Sequence, residues 1–251
     1  MKGSDRNRVI EALGDARMSP YLTAAGGNRK EALALYRWSV ELTAAIQETL
    51  GITEVLLRNA IDRQLQEWNR NSLIREREEE REGSSATSWL LDDPAAPLRS
   101  LTRGKRIEAV RRAEKSAGRR PHNHPRHGQP VTHDDALAHT MFNMWKDILP
   151  NHAPGADPEK VENRNRVRLW EEAVGNAFPH IEDPSGEKTY WRVAHLHGLR
   201  NRVSHMDSLL NVDVLDLAND AFMLVASIDP ILRNWLTGTS TVSAVHKKKP
   251  Q

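Results

Sequence analysis

Apolar residues recur along this chain at intervals of three and four positions, the period of an amphipathic α-helix. Alternation of apolar and polar residues, which is typical of β-strands, extends over no more than a few positions. The spacing predicts two long helices over 29–50 and 52–77, which Gly51 separates and which should pack as an antiparallel hairpin. Further helices are expected over 6–17, 102–117, 132–149, 158–177, 187–210 and 212–236. We therefore predict an all-α protein.

The distribution of turn-forming and polar residues predicts the domain organisation. Residues 1–236 are expected to form a single all-α domain, which includes a basic insertion at about 83–131 rich in Ser, Pro, Arg and His. Residues 237–251 end in three consecutive lysines and a Pro-Gln dipeptide, and we expect a disordered basic tail. We find no internal repeat in the sequence.

Several classes of protein are disfavoured by composition. The absence of cysteine excludes disulfides, a thiol nucleophile and cysteine-ligated metals. No apolar run approaches the roughly 18–20 residues that span a bilayer, and the first residues lack the apolar segment of a signal peptide. A soluble cytoplasmic protein without a membrane partner is the simplest expectation.

Charge is nearly balanced overall but uneven along the chain. The 36 Lys and Arg residues against 34 Asp and Glu give a net charge of +2. Residues 99–126, however, hold ten basic residues and two glutamates. Such a segment would attract an RNA backbone, although a merely solvated loop is the alternative. We expect Arg111, Arg112, Arg119 and Arg120 to contact the RNA.

Histidines cluster in the same region and raise the question of a metal site or an HNH-type nuclease. His122, His124, His127 and His133 lie in or next to a proline-rich loop. They lack helical spacing, flanking strands and a nearby pair of carboxylates. We therefore predict no metal site and no cofactor.

The segment from Trp191 to Leu210 carries the most informative polar residues. Its apolar positions follow a 3-4-3-4 spacing, which predicts a seam facing other helices. They are Leu196, Leu199, Val203, Met206 and Leu210. On a helical wheel, His197, Asn201 and His205 fall near the opposite pole, and Arg200 flanks them. Histidine titrates near neutral pH and suits proton transfer better than the Glu and Lys of an ordinary solvated face.

This segment resembles the motif of the HEPN superfamily (higher eukaryotes and prokaryotes nucleotide-binding). That motif is an Arg followed after four to six residues by a His, and 200–205 reads Arg-Asn-Arg-Val-Ser-His. Other blocks resemble Abi-like (abortive infection, AbiD/AbiF-type) members. They lie at 19–28, 32–38, 54–62, 142–145 and 177–180. The residues after the motif, Met206-Asp207-Ser208, depart from the expected second His and acidic residue.

The resemblance implies a HEPN-like helical bundle that acts as a homodimer, in which Arg200 and His205 of two subunits line a composite cleft. It implies a metal-independent endoribonuclease of a bacterial anti-phage abortive-infection or toxin–antitoxin system. RNA is then the substrate, and an antitoxin or a regulatory non-coding RNA would restrain the enzyme. His205 would act as general base or acid, and Arg200 would stabilise the phosphate. Asn201 would orient His205 or contact the phosphate.

Supporting roles are expected for Glu54 and Arg58, on a helix facing the motif helix, and for His197. A local Glu54–Arg58 ion pair is the plainer interpretation of the first two. The alternative function is a non-catalytic HEPN-like dimer that binds RNA or nucleotides. An ordinary helical scaffold would leave the His- and Asn-rich face unexplained.

Overall fold

The computed structural model describes residues 2–79 and 88–250, with the side chains of 73–79 left out. Within these ranges the chain forms α-helices and one 3₁₀ helix and contains no strand, which confirms the all-α class. None of the described helices is long and apolar enough to cross a membrane. The α-helices are α1 Gly3–Leu13, α2 Asp15–Ala24, α3 Arg29–Glu79, α4 Leu98–Ala117, α5 His133–Ala138, α6 Phe142–Asp147, α7 Val161–Glu172, α8 Glu187–Ser204, α9 Val214–Ile228, α10 Pro230–Thr239 and α11 Val242–His246, and the 3₁₀ helix is Val174–Ala177.

The long helix α3 corrects the predicted hairpin. It runs without a break from Arg29 to Glu79, through Gly51. A glycine inside a helix costs only about 1 kcal/mol relative to alanine, and buried residues on both sides of Gly51 outweigh that cost. Asn28 caps the N-terminus of α3, because its Oδ1 accepts the backbone N–H groups of Lys30 and Glu31 at 3.0 and 3.4 Å.

Several other predicted helices are divided or end earlier than periodicity suggested. The helix expected over 132–149 divides into α5 and α6, and the one expected over 212–236 divides at Pro230 into α9 and α10. Proline cannot donate the backbone hydrogen bond that would continue α9. The helix expected over 187–210 ends at Ser204, which changes the geometry of the candidate site.

The described chain forms two compact units, and the expectation of a single domain over 1–236 stays a prediction. The first comprises Met1–Val55, His195–Ala226 and Pro230–Gln251, and the second comprises Leu56–Ala194 and Ser227–Asp229. Helices α3 and α8 contribute residues to both units. Because each helix continues across the boundary, the spacing of its hydrophobic residues does not show where one unit ends and the other begins.

In the first unit, α1 packs on α2, and both helices cover the beginning of α3. Tyr21 is almost fully buried, donates its hydroxyl to Ser39 Oγ at 2.9 Å and meets the ring of Tyr36 edge-on. The buried cluster is Ile10, Met18, Tyr21, Ala32 and Leu35, with Leu210 packed against it. This core fixes α2 beside the chain that follows α8.

The C-terminal residues of the first unit are ordered where a disordered tail was expected. Helix α10 continues to Thr239, and α11 buries Val242. Trp38 Nε1 donates to the carbonyl oxygen of Val245 at 2.9 Å, and Lys249 Nζ lies 5.3 Å from the centre of the Trp38 ring. The apolar residues of α11 anchor this segment, which the lysine run obscured in the sequence.

In the second unit, α4 packs against α5, α6 and α7. Leu98, Ala109 and Ala113 of α4 are buried, and Trp89 in the segment before it is fully buried. Part of the predicted basic insertion, from Trp89 to Ala113, therefore contributes side chains to a hydrophobic core, whereas most of residues 118–131 are exposed. Residues 83–87 lie outside the described chain.

Candidate functional site

The candidate site begins where α8 ends. Ser204 is its last helical residue, and His205 and Met206 form a turn in which Met206 has φ 55°. The Met206 N–H donates to the Val203 carbonyl at 3.2 Å, and the Asp207 N–H donates to the Arg202 carbonyl at 2.9 Å. This pair of bonds is a Schellman motif, whose left-handed position is usually glycine. A side chain there costs about 1–2 kcal/mol.

Arg17 of α2 holds this turn in place. Its guanidinium donates to the carbonyl oxygen of Met206 and, at 3.3 Å, to that of His205. Gln47 of α3 donates its side-chain amide to the Val203 carbonyl at 3.3 Å. A cation at the C-terminus of a helix also interacts favourably with the helix dipole. The backbone of His205 is therefore fixed from two neighbouring helices.

A concavity of about 530 Å³ lies beside the turn. Its wall consists of the junction between α1 and α2 and of Asp207 and Ser208, which directly follow the turn. Gly14 makes the junction with φ 86°, and a β-carbon on it would meet no atom within 4 Å. Of the residues that follow α8, Asp207 and Ser208 line the concavity.

The structure places the predicted catalytic residues close together along the chain but with different exposure. Arg200 is half-buried, whereas Asn201 and His205 are exposed. The His205 N–H donates to the Asn201 carbonyl at 3.1 Å, so the helical hydrogen-bond pattern reaches His205. Among the described residues, no side-chain hydrogen bond joins Arg200, Asn201 and His205.

The apolar seam of α8 is confirmed over its helical part. Leu196, Leu199 and Val203 are buried, with at most 3% of their surface exposed. Met206 is 36% exposed because the helix has already ended, so its predicted place in the seam is wrong. His197 is half-buried on the same helix.

The two supporting residues of α3 are half-buried, and they fall on either side of the division between the units. Glu54 belongs to the first unit and Arg58 to the second. Arg58 Nε is 3.4 Å from the side-chain oxygen of Asn59. Their predicted participation in a cleft stays a prediction.

Two of the four predicted RNA contacts are paired within α4. Arg111 and Arg112 each donate to Glu108, with distances of 2.8–2.9 Å. Hydrogen bonds from Arg111 and then Arg112 lower the pKa of the Glu108 carboxyl to about 2. The three side chains form a surface cluster whose net charge is +1, which weakens the field that either arginine would offer to a phosphate.

Arg120 belongs to a different ion cluster. Arg120 and Arg126 both donate to the carboxylate of Asp135, at distances of 2.6–2.9 Å, and only 12% of the Arg120 side chain is exposed. Hydrogen bonding, chiefly from Arg126, holds the pKa of Asp135 well below its usual range. Thr132 caps α5, because its Oγ1 accepts the backbone N–H of Asp135 at 3.3 Å, and the Asp135 carboxylate accepts the backbone N–H of Thr132 at 2.8 Å in return. Arg120 thus fixes the loop, whereas Arg119 is exposed.

A buried polar network in the second unit was missed by sequence reasoning. The His133 ring bonds to Asp62 through Nε2 at 2.9 Å and to Ser88 Oγ through Nδ1 at 2.8 Å. Asp62 also accepts the indole N–H of Trp89 at 2.7 Å and the amide of Gln66 at 2.6 Å. Asp62 lies 71 residues from His133 in the chain, and no local spacing signals their contact. Within the described part of the chain, no cluster of three or more His, Asp or Glu side chains could hold a metal ion.

The network has the composition of a Ser-His-Asp triad but lacks the access that a nucleophile requires. Ser88 is 6% exposed and its Oγ also accepts the backbone N–H of Leu91 at 3.0 Å. Every polar atom of the Asp62 carboxylate is occupied by a donor of the protein. We interpret the network as structural, since buried polar groups are stable when all of them are paired.

In comparisons with known proteins, the chain matches no family model, no curated protein and no solved structure. The interpretation of the site therefore depends on its residues and their geometry.

Proposed function

We propose that this protein is a HEPN-type endoribonuclease that cleaves RNA through Arg200 and His205. The observation that carries the proposal is the end of α8. An exposed His205 follows a half-buried Arg200 by five positions, and Asp207 and Ser208, just after His205, line a concave surface. The strained Met206 and the Arg17 contacts fix the backbone at this point. Strain that other contacts maintain is a recurrent property of functional sites.

The chemistry needs only the residues present and the RNA itself. His205 removes the proton from a 2′-hydroxyl, whose oxygen attacks the adjacent phosphorus. The bond from phosphorus to the 5′-oxygen breaks, and that oxygen takes a proton from a general acid. The products are a 2′,3′-cyclic phosphate and a 5′-hydroxyl. Arg200 binds the non-bridging oxygens, where its planar guanidinium offers two parallel donors.

A homodimer completes the proposed site. In the described part of one chain, no hydrogen bond joins the side chains of Arg200, Asn201 and His205. A second copy of the chain would supply a second histidine that transfers a proton. Twofold symmetric dimers are the commonest oligomers. We further propose that such an enzyme acts in bacterial defence or as a toxin, restrained by an antitoxin protein or a regulatory RNA.

The test compares His205→Ala with His180→Ala on a mixture of labelled RNAs. His180 is an exposed histidine of the second unit whose hydrogen bond to Ser227 uses the backbone N–H. We expect His205→Ala to lower the cleavage rate by about 10²–10⁴-fold and His180→Ala to leave it unchanged. Cleavage should persist in EDTA, the products should carry cyclic phosphate ends, and light scattering should give the mass of a dimer.

Cleavage by a folded His205→Ala protein at the wild-type rate would contradict the proposal. RNA binding without cleavage in the wild type, at every substrate tested, would favour the non-catalytic binding module instead.

A further inference from the structure

An open concavity of about 570 Å³ on the second unit is lined mainly by arginines of α4. Arg99, Arg103 and Arg106 lie at positions i, i+4 and i+7, so they share one face of the helix. Asp93, in the segment before α4, is the only carboxylate among the described residues that line it. The lining therefore carries three positive charges and one negative charge.

The single carboxylate does not satisfy the three arginines. Arg99 Nε lies 3.0 Å from an oxygen of Asp93, and a terminal nitrogen of Arg106 lies 3.8 Å from the same oxygen. The other terminal nitrogen of Arg106 donates to the backbone carbonyl of Asp92. Arg103 is exposed and makes no ion pair or side-chain hydrogen bond to any residue that the structure describes.

Arg106 brings a second observation, an unsatisfied buried donor on the same face. Only 13% of its side chain is exposed, and its Nε is buried with no hydrogen-bond partner in the described chain. A buried donor without an acceptor costs about 1–3 kcal/mol, and more when it is charged. Burial, more than any neighbouring charge, lowers the pKa of Arg106, and Arg99 and Arg103 lower it further against the opposing effect of Asp93.

We propose that the concavity formed by Arg99, Arg103 and Arg106 binds a phosphate group. The phosphate could belong to a polynucleotide backbone or to a small phosphate-bearing molecule, since guanidinium groups recognise both in the same way. Arg103 supplies the exposed donor, and Arg106 supplies a preorganised one. Arg103, which has no carboxylate partner among the described residues, differs in this from Arg111, Arg112 and Arg120, whose carboxylate partners already lie within hydrogen-bonding distance.

The site does not depend on the proposed nuclease activity. Its test therefore uses an RNA that cannot be cleaved by attack of a 2′-hydroxyl, a fluorescein-labelled 2′-O-methyl oligouridylate. Fluorescence anisotropy measures its affinity over a range of salt concentrations, and inorganic pyrophosphate is the competitor.

Arg103→Ala is the central variant, because its side chain is exposed and its loss should leave the fold intact. We expect it to weaken binding by about five- to tenfold and to reduce the slope of log K against log salt concentration by about 0.7. Lys115→Ala removes a positive charge from the same helix outside the concavity, and it should change the affinity by less than about twofold. Arg106→Lys keeps the charge but loses the fork, so it should weaken binding with an unchanged slope.

The competitor separates the two sources of the phosphate. An RNA affinity at least about tenfold above that of pyrophosphate indicates a backbone site, whereas equal affinities indicate a site for small phosphates. The proposal is overturned if neither probe binds the wild type, or if Arg103→Ala behaves like Lys115→Ala. It is also overturned if Arg111→Ala weakens binding as much as Arg103→Ala does, because diffuse charge along α4 would then explain the affinity.

Discussion

His205 and His133 are both imidazoles near the end of a helix, but their surroundings are opposite. His133 lies between Asp62 and Ser88, and the carboxylate it contacts has further donors from Trp89 and Gln66. His205 is exposed, and it is the backbone around it that is held firmly. A satisfied side chain stabilises the fold, whereas a side chain without partners on a fixed backbone is available to a substrate.

The largest effect that we expect is the loss of RNA cleavage when Arg200 is replaced. We expect Arg200→Ala to reduce RNA cleavage by about 10²–10³-fold, because it removes a donor that stabilises charge developing on the phosphate. Arg200→Lys should restore little of that loss, since an ammonium group does not reproduce the planar fork. Single-turnover cleavage rates measure both. Full activity in either variant would show that the end of α8 is as structural as the buried network.

The buried network should show the reverse pattern, a large loss of stability. Asp62→Ala leaves the buried indole N–H of Trp89 and the ring of His133 without their acceptor, at a cost of about 2–5 kcal/mol. Asp220→Ala is the matched control, because Asp220 also bonds to a histidine, His195, at 2.8 Å, but in a pair that is half exposed. An exposed pair is worth about 1 kcal/mol or less. Denaturant unfolding of both variants tests this, and equal losses would remove the distinction between the two kinds of pair.

Replacing Met206 should have a smaller effect on the free energy of unfolding, and this effect should be a gain of stability rather than a loss. Met206→Gly should raise the free energy of unfolding by about 0.5–1 kcal/mol, because glycine relieves the left-handed strain but also makes the unfolded chain more flexible. Denaturant unfolding compares it with Met223→Gly, a glycine placed inside α9, which should lower stability. A loss of stability in Met206→Gly would mean that the methionine side chain contributes more stability than its left-handed backbone conformation costs.

Asp135 gives the smallest effect and tests whether a partly open cluster behaves like the buried one. Its folded pKa lies below the unfolded value, so its ion pairs contribute stability above about pH 4 and lose that contribution as the pH falls through the folded pKa. Asp135→Asn should therefore lower Tm by about 2 °C at pH 7, and the difference should shrink towards pH 2. Calorimetry at both pH values measures it, and a difference independent of pH would assign the effect to the cap of α5 instead.

The sequence predicted the helical class and the buried face of α8, because both depend on local periodicity. It missed the end of α8, since the left-handed turn at Met206 is held by Arg17, which lies 189 residues away in the chain. It also predicted a helix break at Gly51, but α3 continues through this residue because buried residues pack on both sides of it.

The candidate site was predicted as a set of residues on one helical face, and Arg200 and Asn201 are on that helix. His205 lies just beyond it, so an extrapolation at 100° per residue describes its side chain poorly. The pairing of Arg111, Arg112 and Arg120 could not be read from a count of charges, because Glu108 and Asp135 each neutralise part of a basic run. The pairs of Glu108 are local to α4, whereas Arg120 pairs with an aspartate 15 residues away, and both kinds of pair decide which cations stay available.

The contacts of Arg17 have a consequence for hydrogen exchange. Amides at the end of a helix usually exchange quickly with solvent, because the last turn opens easily. Here the amides of His205, Met206 and Asp207 bond to carbonyls of α8, while Arg17 holds the carbonyls of His205 and Met206. These amides can exchange only when α2 releases the turn. Their protection should therefore follow the opening of the N-terminal helices, which links the lifetime of the motif geometry to a segment that contains none of its polar residues.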